Sequence, residues 1–230
     1  MERLLLFDID GTLTRTQNGY LPFNEAIFQT FGFEGDIRAV IPDGNTDPLI
    51  VEDIFLKAKV SFSFHDLSWD QFTANLRDRY HHHLLGGTTR VTPLPGAAEL
   101  LKALATDGRF SASVVTGNFE VTAQIKLEAA GLAPYLRRGA YASDSRHRAD
   151  LPAIAKKRRE EATGQIMASE QCVVIGDTAK DLAAARQNRM RCILVGTGRY
   201  PVEELLYAEP DGCLADLTDT QAVLSLLAQL

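Results

Sequence analysis

The chain has 230 residues, of which 45% are hydrophobic and 23% charged, a balance typical of a globular protein with a sizeable core. The formal net charge of −6 and the isoelectric point near 5.4 argue against nucleic acid or an anionic membrane as the main partner. The three cysteines, Cys172, Cys192 and Cys213, lack CxxC spacing, which predicts reduced thiols. Since we find no signal peptide and no apolar stretch of membrane-spanning length, we expect a cytoplasmic protein.

The predicted elements follow two patterns along the chain. A short apolar strand at residues 4–7 precedes three helices with apolar residues at helical spacing, over 22–33, 47–60 and 68–85. From Thr92 onward, helices alternate with short strands rich in β-branched residues, which is typical of a doubly wound parallel sheet. These helices are predicted at 96–106, 119–130, 151–162, 179–188 and 219–229, and the strands at 110–115, 138–141, 172–175, 191–195 and 212–214.

We therefore expect an α/β fold in which residues 1–14 and 93–230 form the core and residues 15–92 form an inserted helical cap. Asp47 followed by Pro48 predicts a helix start, with Asp47 as the N-cap. An insertion after the first strand would lie over the crevice at the strand ends, where a lid is useful. Its aromatic residues predict a separate small core, made of Phe23, Phe28, Phe31, Phe33, Phe55, Phe62, Phe64, Trp69 and Phe72.

Two carboxylates follow the first strand, separated by one residue. Residues i and i+2 of an extended chain point the same way, so Asp8 and Asp10 can share one site at the carboxyl end of the strand. Open α/β sheets bind their ligands at that end. The alternative is a turn in which Asp10-Gly11 only ends the strand.

Three further segments place polar groups at strand ends. Thr116 follows an apolar strand and precedes a helix, so it either binds an anion together with the helix amides or caps that helix. Asp177 follows another buried strand, and Asp181 lies one helical turn later; capping explains either of them alone. Arg146-His147-Arg148 supplies cations that either balance this acidic site or belong to a solvated loop.

Together these groups form an acidic site of the kind that Mg²⁺ prefers, with a hydroxyl and a cation for an anionic substrate. Their order resembles the haloacid dehalogenase superfamily of phosphotransferases: Asp8–Leu13 is similar to DxDGTL, and Gly176–Asp181 to GDxxxD, with Thr116 between them. Gly44-Asn45-Thr46-Asp47 resembles the cap loop of such enzymes. Pro93-Leu94-Pro95-Gly96 is similar to the return into the core of phosphoglycolate-phosphatase-like members.

The resemblance implies a Mg²⁺-dependent phosphatase. Asp8 would be the nucleophile that forms an aspartyl-phosphate, and Asp10 would protonate the leaving alkoxide and then activate water. That task favours protonated Asp10 in the substrate complex, and we expect a neighbouring carboxylate to favour this form. Mg²⁺ would be held by Asp8, the backbone carbonyl of Asp10 and Asp177, with Asp181 orienting a bound water. The phosphoryl group would be held by Thr116, the Gly117 amide and Arg148, and the rest of the substrate would meet Gly44, Asn45 and Thr46.

The third motif departs from the family pattern, which places a lysine just before a helix. The candidates in this chain are Arg148, Arg146, Lys156 and Lys157. We place this cation at Arg148, because it lies closest to the predicted helix start.

Other activities remain open at this point. A sugar-phosphate mutase shares the same core, and a phosphonate hydrolase would need a cap lysine such as Lys57 or Lys59. A non-catalytic phosphate-binding protein is disfavoured by the pair Asp8 and Asp10, because receiver-like proteins lack the second carboxylate. The expected partner is a small phosphorylated metabolite, with no nucleic acid and no membrane, bound by a monomer or homodimer.

Overall fold

A computed structural model describes residues 2–61 and 68–230. Its strands are β1 (Arg3–Phe7), β2 (Thr14–Gln17), β3 (Arg90–Pro93), β4 (Phe110–Val115), β5 (Arg137–Ala140), β6 (Cys172–Gly176), β7 (Arg191–Val195) and β8 (Gly212–Leu214). Its helices are α1 (Tyr20–Phe31), α2 (Asp47–Ala58), α3 (Trp69–Leu85), α4 (Ala97–Thr106), α5 (Glu120–Ala129), α6 (Leu151–Thr163), α7 (Ala179–Gln187), α8 (Val202–Leu206) and α9 (Thr220–Gln229).

Six strands form one parallel sheet in the order β5-β4-β1-β6-β7-β8. Successive residues of β1 contribute to different apolar clusters: Leu5 and Phe7 pack on one face of the sheet, Leu4 and Leu6 on the other. Helices α4, α5 and α9 cover the first face, whereas α6 and α7 cover the second. Because both faces are covered, the central strands β1, β6 and β7 are largely apolar, and the predicted doubly wound α/β fold is confirmed.

A second, two-stranded sheet joins the helical insert to the core, and the sequence analysis did not predict it. Strands β2 and β3 pair antiparallel, from Thr14 opposite Pro93 to Gln17 opposite Arg90. The two chain connections to the insert therefore run side by side. The predicted division of the chain into core and cap at residues 14 and 93 stays a prediction. The first residue of β2 and the last residue of β3 are these two positions. The short helix α8, between β7 and β8, was also not predicted.

The prediction that the insert has a separate apolar core is wrong, because that core is shared with another part of the chain. The apolar cluster of the insert also takes in Phe119, Ile125 and Ala142 from the part of the chain that builds the large sheet. Phe119 packs against the rings of Trp69 and Phe72, with centroids 5.7 and 6.0 Å apart. The insert thus shares its core with α5.

Two details of the aromatic prediction also differ in the structure. Phe28 is 54% exposed and lies outside the apolar cluster. Phe62 and Phe64 fall outside the described residues. No helix in the described ranges is both long and apolar enough to cross a bilayer.

Candidate active site

Three neighbouring strands of the sheet deliver polar side chains to one cavity. Asp8 follows β1, Thr116 follows β4 and Asp177 follows β6, and β1 lies between the other two strands. Because carboxyl ends of parallel strands meet at one edge, these residues line a common cavity of about 500 Å³. Residues of the insert, including Tyr20 and Phe23, line the same cavity. The cavity therefore lies between the sheet and the helical insert.

A buried cluster of carboxylates forms the floor of the site. Asp8, Asp177 and Asp181 are at most 5% exposed, and one oxygen from each lies within 4.8 Å of the others. Burial raises the pKa of Asp8 to about 6. Burial and the nearby charges of Asp8 and Asp181 raise the pKa of Asp177 to about 8. Such a cluster fits a divalent cation, because oxygen ligands that repel one another are stabilised by a positive charge between them.

Two glycines leave room for the Asp177 carboxylate in this cluster. A Cβ atom at Gly11 would lie 2.3 Å from Asp177 Oδ2, and one at Gly198 would lie 1.7 Å from the same oxygen. Thr12 Oγ1 donates a hydrogen bond to Asp177 Oδ1 at 3.3 Å. Asp181 is held from another side, where Thr178 donates to its Oδ2 from both N and Oγ1 at 3.0 and 2.7 Å.

Arg148 is the cation of this cluster. It lies in a 3₁₀ turn, Arg148–Asp150, that precedes α6, and only 8% of it is exposed. Its Nη2 is 3.0 Å from Asp8 Oδ2, and its Nε donates to Asp181 Oδ1 at 3.1 Å; Nη2 also pairs with Asp181. Burial opposes its charge, but the two carboxylates outweigh burial and raise its pKa above the ordinary value.

The other three cations considered for this position lie elsewhere. Arg146 pairs with Glu52 of α2, on the insert. Lys156 and Lys157 pair with Glu160 and Glu161, one turn later on α6. Of the four candidates, Arg148 is therefore the one that the structure brings to Asp8.

Asp10 has a different environment from Asp8. Its carboxylate is 43% exposed and turns away from the three-carboxylate cluster. It accepts hydrogen bonds from Lys126 Nζ at 2.6 Å, Asn118 Nδ2 at 2.8 Å and Thr16 Oγ1 at 3.3 Å. Any contribution of Asp10 to a metal site therefore rests on its backbone carbonyl, as the family resemblance implies.

The charge state of Asp10 differs from the expectation based on sequence. Burial raises its pKa, but the charge of Lys126 and the hydrogen bonds from Lys126, Asn118 and Thr16 outweigh burial, so the pKa lies below its ordinary value. In this arrangement Lys126 lowers the pKa of Asp10, so a neighbouring carboxylate does not keep it protonated; protonation of Asp10 in the substrate complex stays a prediction.

The segment after β4 forms one wall of the cavity. Thr116 is fully buried, and its Oγ1 accepts hydrogen bonds from Asn118 N and Nδ2 at 3.3 and 2.8 Å. Gly117 O accepts from Asp47 N at 2.7 Å. A Cβ at Gly117 would lie 2.1 Å from Asn45 O, so a glycine is required where the insert contacts this wall.

The predicted cap loop lies against the core at this wall. Gly44 and Asn45 line the cavity, and Asn45 Oδ1 accepts a hydrogen bond from Lys180 Nζ at 2.5 Å. Thr46 lies behind them, fully buried, and its Oγ1 donates to Arg146 O at 2.6 Å. The Thr46 hydroxyl could donate a hydrogen bond to substrate only if that bond to Arg146 O broke.

Asp47 differs from its predicted role. Thr46, not Asp47, is the N-cap of α2. The Asp47 carboxylate instead accepts a hydrogen bond from Phe119 N, 2.8 Å away at the start of α5. Burial raises its pKa to about 7. Asp47 thus joins the insert to the core instead of capping its own helix.

Sequence reasoning missed Lys126, Asn118 and Gly198. Asn118 directly follows Gly117, and the sequence analysis assigned it no role. Lys126 lies on the buried face of α5 together with Thr122 and Ala123, one turn earlier. A lysine on the apolar face of a helix is the signal that would have identified it. Gly198 carries no motif of its own.

Comparison with known proteins agrees with this architecture. The family described as haloacid dehalogenase-like hydrolase matches residues 2–188. No curated protein is significantly similar to the chain in sequence.

Solved structures share the fold over nearly the whole chain. A hydrolase from Pseudomonas syringae is 21% identical with a TM-score of 0.68, covering 97% of this chain and 98% of its own. A predicted phosphoglycolate phosphatase from Haemophilus somnus is 20% identical with a TM-score of 0.68 and the same coverage. CbbY from Rhodobacter sphaeroides, in complex with phosphate, is 19% identical with a TM-score of 0.70, covering 95% and 96%. Since the family match spans most of the sequence, the chain belongs to the haloacid dehalogenase-like hydrolases.

Proposed function

We propose that this protein is a Mg²⁺-dependent phosphatase that hydrolyses a small phosphate monoester through an aspartyl-phosphate on Asp8. One observation carries the proposal: Asp8, Asp10 and Thr116, which follow the adjacent strands β1 and β4, line the same cavity as Arg148 from the turn before α6. This set contains a nucleophile, a proton-transfer group, a hydroxyl donor and a cation. Phosphoryl transfer needs these groups held in position around one phosphorus atom.

In the first step, a carboxylate oxygen of Asp8 attacks phosphorus and forms a new P–O bond. The bond between phosphorus and the ester oxygen breaks, and the ester oxygen takes a proton from Asp10, so the product leaves as an alcohol; Asp10 has first taken up that proton from the singly protonated phosphate monoester. Arg148, which contacts Asp8 Oδ2, balances the negative charge that gathers on the phosphoryl oxygens. Thr116 and the Gly117 amide hold those oxygens from the opposite wall.

In the second step, water attacks the same phosphorus atom. Asp10 takes a proton from the water, the P–O bond to Asp8 breaks, and inorganic phosphate is released. The ion pair with Lys126 suits this step, because it holds Asp10 in the ionised form that accepts a proton.

The carboxylate cluster supports Mg²⁺ as the cofactor. The cation would be held by Asp8, Asp177 and the backbone carbonyl of Asp10, with Asp181 in support; when bound, it neutralises charge on the transferring phosphoryl group. The cradle that Gly11 and Gly198 form around Asp177 fits this role, since a side chain at either glycine would displace a ligand.

The substrate inferred from the cavity is a small phosphorylated metabolite. A volume of about 500 Å³ is in the range of small-molecule pockets. Among proteins of similar fold, one is described as a predicted phosphoglycolate phosphatase, and another was solved in complex with phosphate. Both descriptions agree with a pocket built for a phosphoryl group.

Release of inorganic phosphate tests the proposal. A set of phosphate monoesters is incubated with the protein in excess Mg²⁺ or in excess chelator, and phosphate and alcohol are both quantified. We expect the two products in equal amounts, only with Mg²⁺, and almost none from Asp8→Asn. Asp70→Asn, a change at an exposed position on α3, serves as the control. Full activity of Asp8→Asn would contradict the mechanism, and isomerised product without phosphate release would indicate a mutase.

A further inference from the structure

Lys126 is a buried cation whose contacts go beyond the effect on the charge of Asp10 described above. It lies on α5, only 6% of it is exposed, and it also borders the cavity. Its Nζ donates to Asp10 Oδ2 at 2.6 Å and to Asn118 Oδ1 at 2.7 Å, and it lies 5.9 Å from the centre of the Tyr80 ring. The cavity therefore has one buried cation for each carboxylate of the Asp8–Asp10 pair, Arg148 for Asp8 and Lys126 for Asp10.

Stability alone gives no reason for this lysine. Removing an ammonium group from water costs several kcal/mol, and much of its attraction to a carboxylate only offsets that cost, so well-packed apolar residues are often as stable as a buried ion pair. An apolar side chain of the same length would lie on the same buried face of α5 as Thr122 and Ala123 without that penalty. We therefore look for the reason for a charged residue at position 126 in the groups that its ammonium contacts, Asp10 and Asn118.

The contacts form a closed ring of three hydrogen bonds. Lys126 binds both Asp10 Oδ2 and Asn118 Oδ1, while Asn118 Nδ2 donates to that same Asp10 oxygen at 2.8 Å. Asn118 Nδ2 also donates to Thr116 Oγ1 at 2.8 Å. The ring thus fixes one oxygen of Asp10 and links its carboxylate to the hydroxyl on the phosphate-binding wall.

We propose that Lys126 is a positioning residue that acts through Asp10, holding the proton-transfer carboxylate at a fixed place relative to Thr116 and the phosphoryl group. This inference rests on the proposed phosphatase activity. A side chain with several rotatable bonds moves easily, whereas proton transfer to the ester oxygen requires close and directed approach. Asn118 completes the ring but carries no charge, so it cannot hold Asp10 as firmly alone.

A double-mutant cycle between Lys126 and Asp10 tests this assignment. Lys126→Met keeps the length of the side chain and removes the charge, and Asp10→Asn keeps the shape of the carboxylate but prevents proton transfer. Initial rates are measured for each single variant and for the double variant with 4-nitrophenyl phosphate and with an alkyl phosphate. Lys102→Met, at an exposed position on α4, is the control. Thermal unfolding of each variant checks that it folds.

If Lys126 acts through Asp10, Lys126→Met lowers kcat on the alkyl phosphate about 100-fold, the loss that misplacing a catalytic group produces. The loss is smaller on 4-nitrophenyl phosphate, whose leaving group needs little protonation. In the Asp10→Asn background the same change costs less than about 2-fold, because the two effects are not additive. Lys126→Arg recovers part of kcat.

Two outcomes would overturn the assignment. An equal loss in both backgrounds would show that Lys126 does not act through Asp10. A higher KM with unchanged kcat, in either background, would instead make Lys126 a substrate-binding residue. Absence of phosphate release by the wild-type protein would reject the phosphatase proposal itself, and so differs from either result.

Discussion

Replacement of Arg148 by alanine would leave two buried carboxylates without their cation. Asp8 and Asp181 are 5% and 1% exposed, and Arg148 pairs with both. Breaking a buried ion pair by removing one partner costs about 3–5 kcal/mol, because the remaining charge is uncompensated. For a chain of this size, that loss lowers Tm by about 6–20 °C. Arg148→Ala is therefore expected to be much less stable than wild type in chelator, as measured by urea unfolding.

The same variant is expected to lose activity. A charge-assisted contact to a transferring phosphoryl group contributes about 2–4 kcal/mol, so kcat/KM falls roughly 30- to 1000-fold. Arg148→Lys recovers part of this loss, since an ammonium group keeps the charge but not the planar fork that reaches both carboxylates. Stability is measured in parallel, so that loss of activity is separated from unfolding.

Arg146→Ala is the matched control. Arg146 pairs with Glu52 near the surface, where a salt bridge is worth about 0–1 kcal/mol. If Arg148→Ala stayed within about 1 kcal/mol of wild type, Arg148 would not be neutralising the buried carboxylates. A larger effect at Arg146 than at Arg148 would transfer the role of phosphoryl-binding cation to Arg146.

Gly198→Ala is expected to weaken Mg²⁺ affinity at least about 10-fold, because its Cβ would displace the Asp177 carboxylate; Gly108→Ala, which meets no atom within 4 Å, should leave affinity unchanged. Both affinities are measured by titrating activity with Mg²⁺, and equal values would contradict the ligand role of Asp177. Mg²⁺ at 100 times its Kd should stabilise the fold by about 2.7 kcal/mol in thermal unfolding, whereas an unchanged Tm at concentrations that support turnover would argue against binding at the buried cluster. Phe119→Ala should cost about 3–5 kcal/mol of unfolding free energy in urea, but Phe28→Ala less than about 0.5, since only Phe119 is buried. Similar losses would show that Phe119 does not hold the insert.

The sheet and its carboxylates were predictable because their signals are local. Strand β1 is a run of apolar residues followed at once by Asp8 and Asp10, and the place of a residue at a strand end follows from chain order alone. The same holds for Thr116 after β4 and Asp177 after β6. Arg148 was less certain from sequence, because its distance from Asp8 depends on how the turn before α6 packs.

The remaining features depend on packing between distant parts of the chain. The four residues of β2 contain no aliphatic residue, so only their pairing with β3 makes them a strand. The role of Lys126 depends on which face of α5 meets the cavity. Asp47 has a good N-cap residue type, but in the folded chain its carboxylate accepts a hydrogen bond from Phe119 N, and Thr46 takes the N-cap position of α2. Local preference yields to tertiary contact at these positions.

The aromatic cluster shared by the insert and α5 holds these two parts of the chain together on one side of the cavity. Phe119 is 4% exposed between Trp69 and Phe72, and burying such a side chain is worth about 1.5–3 kcal/mol. On another part of the rim, Asp43 meets Arg199 in an ion pair whose arginine is 55% exposed and therefore screened by solvent. Moving the insert away from the core at the Asp43–Arg199 pair leaves the aromatic contacts intact. Moving it away at Phe119 would expose these aromatic side chains to water. If the insert and the core separate to admit substrate, we expect the Asp43–Arg199 pair to break first while the contacts at Phe119 stay in place.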